Sequence, residues 1–451
     1  MKITRRKLLC GAGSLAGAVF LGGSVLGSAR RKRSRRKPGS KERASDSGPL
    51  SGTNLYADVI SYYNLGEHRT AGEVDLRTSQ WMLEQMRGAG LKATLQAFQL
   101  RQFSIRQTRL TVRATPIRAF PLWFPRSTGP KPIAGKLSLF EGTAEPESLR
   151  GKIALAKFPA SAGAAMQEGS IHSRIVLAAY NAGASGIVAV TESATKEIIA
   201  LNTTDGYEPW PIPVVLVGQR DETLLGAAAR SGIDASLLLD GEDDSQAQAK
   251  NVIARVDHGK DLIVVSTPQS GWFRCAGERG PGIALFLGLA RWANRRTSGS
   301  SFLFVSTSGH ELGGLGMSAF LKDLAPVRER VLCWIHLGAG IATYSWEETA
   351  AGLRRTREPD SKRLLMSSPD LVPMLTTTFA GLTGLTPTVD RAVGEYEFMR
   401  KAGYRVFGIA AAHRFHHTPA DSPETTGPEI MEPVARALVR SIESLEQSAG
   451  R

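Results

Sequence analysis

The sequence is most informative at Phe304-Val305-Ser306-Thr307-Ser308-Gly309-His310-Glu311-Leu312-Gly313-Gly314-Leu315-Gly316, where an apolar run ends in two ionisable side chains and a glycine-rich turn. The run from Phe302 to Thr307 is typical of a buried strand, and Leu315 to Lys322 is typical of a helix that follows it. In an open α/β sheet, ligands bind beyond the carboxyl ends of the strands. His310 and Glu311 are therefore expected where such a sheet carries its chemistry.

Strands and helices alternate along the chain from Asn251 onward. Besides the two elements above, the predicted strands are Leu262 to Ser266, Val331 to Leu337 and Tyr404 to Ala411, and the predicted helices are Gly282 to Asn294 and Ile430 to Leu445. This alternation predicts an α/β fold in which helices cover a mixed, mostly parallel sheet.

The chain before Asn251 contains two segments with different patterns of apolar residues. Apolar spacing predicts a helix at Ser79 to Met86, which Gly88 to Gly90 ends, and alternation then predicts a strand from Leu91 to Leu100. After residue 120, short apolar strands lie between Gly/Pro turns. The predicted divisions are an N-terminal signal at 1–29, a linker at 30–51, one domain split between 52–120 and 248–451, and an inserted domain at 121–247.

The chain has 451 residues and a formal net charge of +14, which is unevenly distributed. Residues 1–50 hold 13 of the 56 lysines and arginines but only two acidic residues, so +11 of the charge lies there. The remainder carries only +3, which gives no electrostatic case for nucleic-acid binding. With 42% hydrophobic residues and three cysteines, the chain is neither disordered nor a disulfide scaffold.

Residues 1–29 resemble a twin-arginine (Tat) export signal. Arg5 and Arg6 precede a charge-free, glycine-rich stretch from Leu8 to Ala29, and Gly27-Ser28-Ala29 offers the small residues that a signal peptidase accepts. The resemblance implies a periplasmic or extracellular protein. An uncleaved membrane anchor is the alternative, because the uncharged stretch is long enough to span a bilayer.

The linker is polybasic from Arg30 to Arg43 and contains Ser, Gly and Pro. Such a segment either contacts an anionic membrane or a cell-wall polymer or serves as a solvated spacer.

Four predicted strand ends carry residues suited to chemistry, namely Thr267 to Ser270, Gly309 to Glu311, His336, and His413 to Asp421. Among these, Glu311, His336 and His417 would together supply two imidazoles and a carboxylate, a ligand set suited to zinc. A helix-borne HExxH site is excluded, because Leu312, Gly313 and Gly314 follow Glu311 without a second histidine.

Three segments between residues 121 and 247 resemble the protease-associated (PA) domain. They are Leu149-Arg150-Gly151-Lys152-Ile153, Ala182-Gly183-Ala184-Ser185-Gly186-Ile187 and Ile212-Pro213-Val214-Val215. The resemblance implies an inserted, β-rich domain in this part of the chain.

Residues 52–447 resemble the zinc-dependent aminopeptidase family that includes bacterial leucyl aminopeptidases, glutamate carboxypeptidase and the transferrin receptor. The resemblance rests on the run from Phe304 to Gly316, on His417-Thr418-Pro419-Ala420-Asp421 and on His68-Arg69-Thr70-Ala71-Gly72. It implies a zinc-exopeptidase-like fold, and substrates that are peptides or amide-linked amino acids.

The metal-binding motif of that family is only partly kept. After the first strand, two of its positions are filled here by Thr267 and Gln269, and Gly277 stands in place of a bridging aspartate before a helix. His310 and Glu311 stand in place of a glutamate pair. His336 stands in place of an aspartate, and His417 matches the final histidine. A bridging carboxylate offsets the repulsion between two metal ions and sets their spacing. Since glycine supplies none, a two-zinc site is not expected.

The resemblance then leaves two hypotheses. In the first, the protein is a hydrolase in which Glu311, His336 and His417 hold one zinc ion at most, and His310 is the general base. In the second, His310 and His336 only fill the vacated pocket, and the protein is a catalytically inactive binding or receptor-like protein. A metal-independent transferase or cyclase is a further possibility with little support.

Several nearby residues have weaker assignments. Glu395, Trp272 and Arg274 are candidates for contact with substrate, and Glu278 and Arg279 are candidates for a pocket or a simple ion pair. Asp421 is expected either to orient His417 or to cap a helix or turn. Cys275 and Cys333 either pair or remain as buried thiols.

Overall fold

A computed structural model describes residues 48–143, 145, 147–161, 164–166, 169–203 and 208–450. The predicted export signal and the polybasic run from Arg30 to Arg43 lie outside these ranges. None of the helices within them combines the length and apolar character that a bilayer crossing requires.

The helices of the described residues mostly follow the predicted alternation. They are α1 (Gly52–Leu65), α2 (Glu73–Gly88), α3 (Ile171–Asn181), α4 (Glu222–Arg230), α5 (Gly280–Asn294), α6 (Leu315–Asp323), α7 (Val372–Thr378), α8 (Tyr396–Lys401) and α9 (Pro428–Ala449).

The strands include two long ones and many short ones. They are β1 (Lys92–Val112), β2 (Thr115–Ile117), β3 (Phe120–Pro121), β4 (Ile133–Leu139), β5 (Ile153–Phe158), β6 (Ala165–Met166), β7 (Gly186–Thr191), β8 (Asn202–Thr203), β9 (Val214–Gly218), β10 (Asp234–Val256), β11 (Leu262–Pro268), β12 (Ser301–Thr307), β13 (Val331–Leu337), β14 (Tyr344–Thr349), β15 (Gly352–Pro359), β16 (Leu364–Ser367), β17 (Pro387–Thr388) and β18 (Val406–Ala410).

One large sheet joins most of these strands in the order β17-β16-β18-β13-β11-β12-β10-β4-β5-β7-β9-β3, with β1 paired to β10 and β2 paired to β1. Strands β18, β13, β11 and β12 run parallel to one another, and so do β4, β5, β7 and β9. Antiparallel strands lie between and beside these two groups. The predicted α/β fold with a mixed, mostly parallel sheet and flanking helices is confirmed.

A long two-stranded ribbon of β1 and β10 connects the two parallel groups. The first residues of β10 pair with β4, and its last residues pair with β12. The limit predicted between residues 247 and 248 falls inside β10, and the described residues form one compact unit. The division of the chain into a split domain and an inserted PA-like domain stays a prediction.

Helix α5 occupies the centre of the fold. Nearly all its residues are buried, as expected for a helix that is apolar on every side, and it packs against α1, α9, β11 and β13. Its N-terminus therefore lies beside the carboxyl ends of the central strands. Cys275 and Cys333 are both buried and free, so the thiols do not pair.

Candidate metal centre and its surroundings

The turn before α5 places Glu278 at the centre of the site. The amide groups of Gly277 and Glu278 donate hydrogen bonds to the two carboxylate oxygens of Asp421, at 2.8 and 2.9 Å. A Cβ atom on Gly277 would lie 2.3 Å from Oγ1 of Thr425, so residue 277 has no room for a side chain. The carboxylate of this turn belongs to the next residue, Glu278, which is buried.

His417 faces Glu278 in a fixed orientation. Its Nδ1 atom lies 3.0 Å from the carbonyl oxygen of Ala200, and since a carbonyl only accepts, Nδ1 carries the proton. Its Nε2 atom, the other ring nitrogen, lies 3.4 Å from Oε1 of Glu278. Metal-binding histidines commonly donate their other N–H to a backbone carbonyl in this way.

His416 adds a second imidazole. Its ring stacks on that of His417, with centroids 3.9 Å apart, and its Nδ1 lies 3.8 Å from Oε2 of Glu278. Burial, followed by the neighbouring His417, lowers the pKa of His416 well below its usual value. His416 is thus neutral near pH 7, as a metal ligand must be.

The three side chains fit one metal ion. Their ligand atoms lie within 4.8 Å of one another, and no other such group of three occurs among the described residues. Oε1 of Glu278, Nδ1 of His416 and Nε2 of His417 are buried without a hydrogen-bond partner. Two ligands of a tetrahedral zinc ion, at bond lengths of about 2.0–2.2 Å, are about 3.3–3.6 Å apart, close to the separations in this group.

Glu278 is charged in this environment. Burial would raise the pKa of the Glu278 carboxyl, but Arg279 and His417 outweigh burial and hold that pKa well below its usual range. The group therefore offers one carboxylate and the ring nitrogens of two imidazoles. This is the ligand chemistry expected from the sequence, although only His417 is common to the predicted and the observed set.

The other two predicted ligands have different partners. Oε1 of Glu311 lies 2.6 Å from Nη2 of Arg279, and Oε2 accepts a hydrogen bond of 2.7 Å from Oγ of Ser270. Nδ1 of His336 is hydrogen-bonded to Oγ of Ser266 at 3.0 Å, and burial lowers the pKa of His336 to about 4. The structure therefore does not bring Glu311 and His336 together with His417.

Arg279 lies between two buried carboxylates. Its side chain is only 1% exposed, and Nη2 lies 3.0 Å from Oε1 of Glu278 as well as close to Glu311. Burial opposes its charge, but Glu278 and Glu311 outweigh burial and raise its pKa above the ordinary value. Of the two roles considered for Glu278 and Arg279, the ion pair is the one observed.

His310 and Glu395 face each other beside Thr307. Nδ1 of His310 lies 3.4 Å from Oε1 of Glu395, and the His310 side chain is 18% exposed. Oε2 of Glu395 accepts a hydrogen bond of 2.8 Å from Oγ1 of Thr307. Burial would raise the pKa of Glu395, but His310 outweighs burial and lowers it. Glu395 is thus an ionised carboxylate directed at the imidazole.

Three further predicted residues have partners within the protein. Trp272 is buried, donates to Oδ1 of Asn202 at 2.8 Å and packs against Trp123. Arg274 lies over the ring of Tyr63. Asp421 binds the amide groups before α5 rather than the His417 ring, so it positions the carboxylate ligand instead of the imidazole.

No protein-family model matches the sequence, and no curated protein matches it either. The fold, however, resembles solved structures. The zinc aminopeptidase BSAP from Bacillus subtilis is 16% identical with a TM-score of 0.68, over 88% of this chain and 95% of that chain. A peptidase M28 precursor from Shewanella amazonensis is 16% identical with a TM-score of 0.67, over 87% and 93%.

An aminopeptidase from Aneurinibacillus sp. strain AM-1 is also 16% identical, with a TM-score of 0.59 over 88% of this chain and 94% of that chain. Identities this low establish a shared fold. The resemblance to zinc-dependent aminopeptidases that the sequence indicates is confirmed at that level.

Proposed function

We propose that this chain, which has the fold of the zinc aminopeptidases, is a hydrolase of peptides or amide-linked amino acids with a single metal ion. The observation that carries the proposal is the convergence of Glu278, His416 and His417 with three buried, unpartnered ligand atoms. Zinc is the metal best suited to one carboxylate and two imidazoles. Such an ion polarises a carbonyl group and makes water a better nucleophile at neutral pH.

The residues beside the metal centre supply proton transfer. With Nδ1 of His310 directed at Glu395, Nε2 is the atom that takes a proton from the attacking water. The same atom then returns that proton to the nitrogen of the leaving amine. Glu395 holds the ring in one orientation and stabilises its protonated form, which makes His310 a stronger base.

The decisive test combines metal content with hydrolysis of aminoacyl p-nitroanilides. We expect about one zinc ion per chain in the purified protein, and chelator-sensitive hydrolysis. His417→Ala should lose both, whereas His258→Ala, which changes a histidine hydrogen-bonded to the Ala293 carbonyl, should lose neither. Retention of metal and activity by His417→Ala would sink the proposal.

A catalytically inactive binding protein is the second candidate function. It is favoured by the ion pairs of Arg279, which compensate the buried carboxylates without any metal, and by the complete burial of Glu278 and His417 side chains. Absence of zinc and of hydrolysis in the wild-type protein would establish this second function over the first.

We also propose that the protein acts outside the cytoplasm. Support comes from Arg5 and Arg6 before the glycine-rich stretch, and the basic run from Arg30 to Arg43 would then face an anionic membrane or cell-wall polymer. Replacement of both arginines by lysine should retain the protein in the cytoplasm. Intact N-terminal residues in the membrane fraction would instead indicate an uncleaved anchor.

A further inference from the structure

Arg279 takes up most of the hydrogen-bonding capacity around Glu311. Nη2 contacts Oε1 of Glu311 at 2.6 Å, and Nε donates to the carbonyl oxygen of Ser270 at 2.8 Å. Oγ of Ser270 in turn donates to Oε2 of Glu311. Both carboxylate oxygens of Glu311 are thus engaged, and the guanidinium is held from two directions.

Glu278 differs from Glu311 in this respect. Its Oε1 atom lies 3.0 Å from Nη2 of Arg279, but the contact lacks hydrogen-bond geometry, and Oε1 remains without a hydrogen-bond partner. Glu278 therefore keeps a lone pair for a metal ion, while Glu311 would have to give up Arg279 and Ser270 to bind one.

The charges lead to the same distinction. Two carboxylates that are both almost fully buried repel each other and require a nearby positive charge. Arg279 supplies that charge permanently, because a guanidinium keeps its proton in proteins. Its Nη2 atom lies 3.0 Å from Oε1 of Glu278 and 2.6 Å from Oε1 of Glu311, so one positive charge serves both carboxylates.

We propose that Arg279 replaces a second metal ion, so that the centre binds one ion through Glu278 and Glu311 serves as the anchor of Arg279 rather than as a metal ligand. This inference rests on the proposed function for the identity of the one ion. Arg279 is a positioning residue, since it acts through the two carboxylates.

The ligand set is tested with cobalt(II), whose visible absorption reports its coordination. We expect one cobalt ion per chain at saturation and the same spectrum in wild type and Glu311→Gln, with an altered spectrum in Glu278→Gln. Two ions per chain, or a spectrum that changes equally in both variants, would overturn the inference. Binding of no cobalt at all would overturn the single-metal function instead.

The role of Arg279 is tested separately in the metal-free protein, by melting temperature in the presence of a chelator. Arg279→Met leaves two buried carboxylates uncompensated and should lower the melting temperature by about 5–10 °C. The double variant with Glu311→Gln should recover part of that loss, because one of the repelling charges is gone. Additive losses in the double variant would contradict the proposal, and the cobalt spectrum of Glu311→Gln decides it if Arg279→Met fails to fold.

Discussion

Ala200 and His417 hold each other through two hydrogen bonds of 3.0 Å, although 217 positions separate them in the sequence. The amide of Ala200 donates to the carbonyl oxygen of His417, and Nδ1 of His417 donates to the carbonyl oxygen of Ala200. The backbone carbonyl of Ala200, which is far from the central strands in sequence, thus determines which imidazole nitrogen of His417 faces Glu278. Metal binding at His417 is thereby linked to the docking of the segment that contains Ala200.

Ala200→Pro should weaken zinc binding about tenfold, because loss of a group that orients a ligand typically has an effect of this size. Proline cannot donate to the His417 carbonyl, and without that bond the Ala200 carbonyl moves off Nδ1. The measurement is a competitive zinc titration. Ala200→Gly keeps both backbone groups and serves as the control, and equal affinities in the two variants would contradict the linkage.

Glu395→Gln should lower kcat by about tenfold or more while leaving the zinc content unchanged. The neutral amide no longer stabilises the protonated ring of His310, so proton transfer becomes slower. Steady-state kinetics and metal analysis of the same preparation check both parts. Glu397→Gln, a change at a position paired with Lys401, is the matched control, and a loss of zinc in Glu395→Gln would assign Glu395 to metal binding instead.

Gly277→Ala should destabilise the protein by about 1–3 kcal/mol, the usual cost of forcing extra atoms into a packed site. The new Cβ would lie 2.3 Å from Oγ1 of Thr425 and 2.9 Å from Oδ1 of Asp421. Displacement of Asp421 also releases the amide of Glu278, so zinc affinity should fall as well. Urea unfolding compares this variant with Gly88→Ala, where nothing lies within 4 Å of the added atom; equal stability would show that the turn adjusts freely.

The contribution of Asp75 to stability should fall as the pH rises from about 4 to 7, opposite in sign to the contributions of His336 and His416, whose pKa values burial lowers. Burial raises the pKa of Asp75 from 3.8 to about 7, against hydrogen bonds from Ser308 and Ala71. Protonation favours the folded state, so the contribution is complete below the unfolded pKa and is lost by the folded pKa, with a total on the order of 4 kcal/mol.

Asp75→Asn isolates this contribution. The amide of Ala71 and the hydroxyl of Ser308 both donate to Oδ2 of Asp75. The side-chain oxygen of an asparagine can accept the same two hydrogen bonds without a buried charge. When urea unfolding is compared at pH 5 and pH 8, the free energy of unfolding of the variant should rise more, or fall less, with pH than that of the wild type, because the falling contribution of Asp75 is gone. Identical pH dependence in both proteins would exclude a raised pKa at Asp75.

Much of the fold was predictable because buried strands and helices leave periodic patterns. The apolar runs that become β11, β12 and β13 and the turn at Gly309 to Glu311 place the chemistry at the carboxyl ends of adjacent strands. The helix α9 shows its buried stripe in the same way. The hairpin of β14 and β15 was not predicted, since its exposed, charged strands lack such a stripe.

The proposed metal ligands were harder to predict because adjacent residues compete for one position. Gly277 and Glu278 are neighbours, and only the hydrogen bonds to Asp421 decide which of them faces His417. His416 and His417 pose the same difficulty. The signal available in the sequence was Glu278 itself, a carboxylate two residues before a helix that begins with glycine and proline.

The ribbon of β1 and β10 has a consequence for how the chain could be shortened. Val112 and Ala235 are paired partners, so everything between them departs from and returns to a single point, and a tight turn could join the two strands as a simple hairpin. Such a trimmed protein would retain the central strands and α5. It would lack Ala200, however, and the His417 ring could then turn either nitrogen toward Glu278. The residues between Val112 and Ala235 are therefore not needed to connect the strands, but they are needed to orient His417.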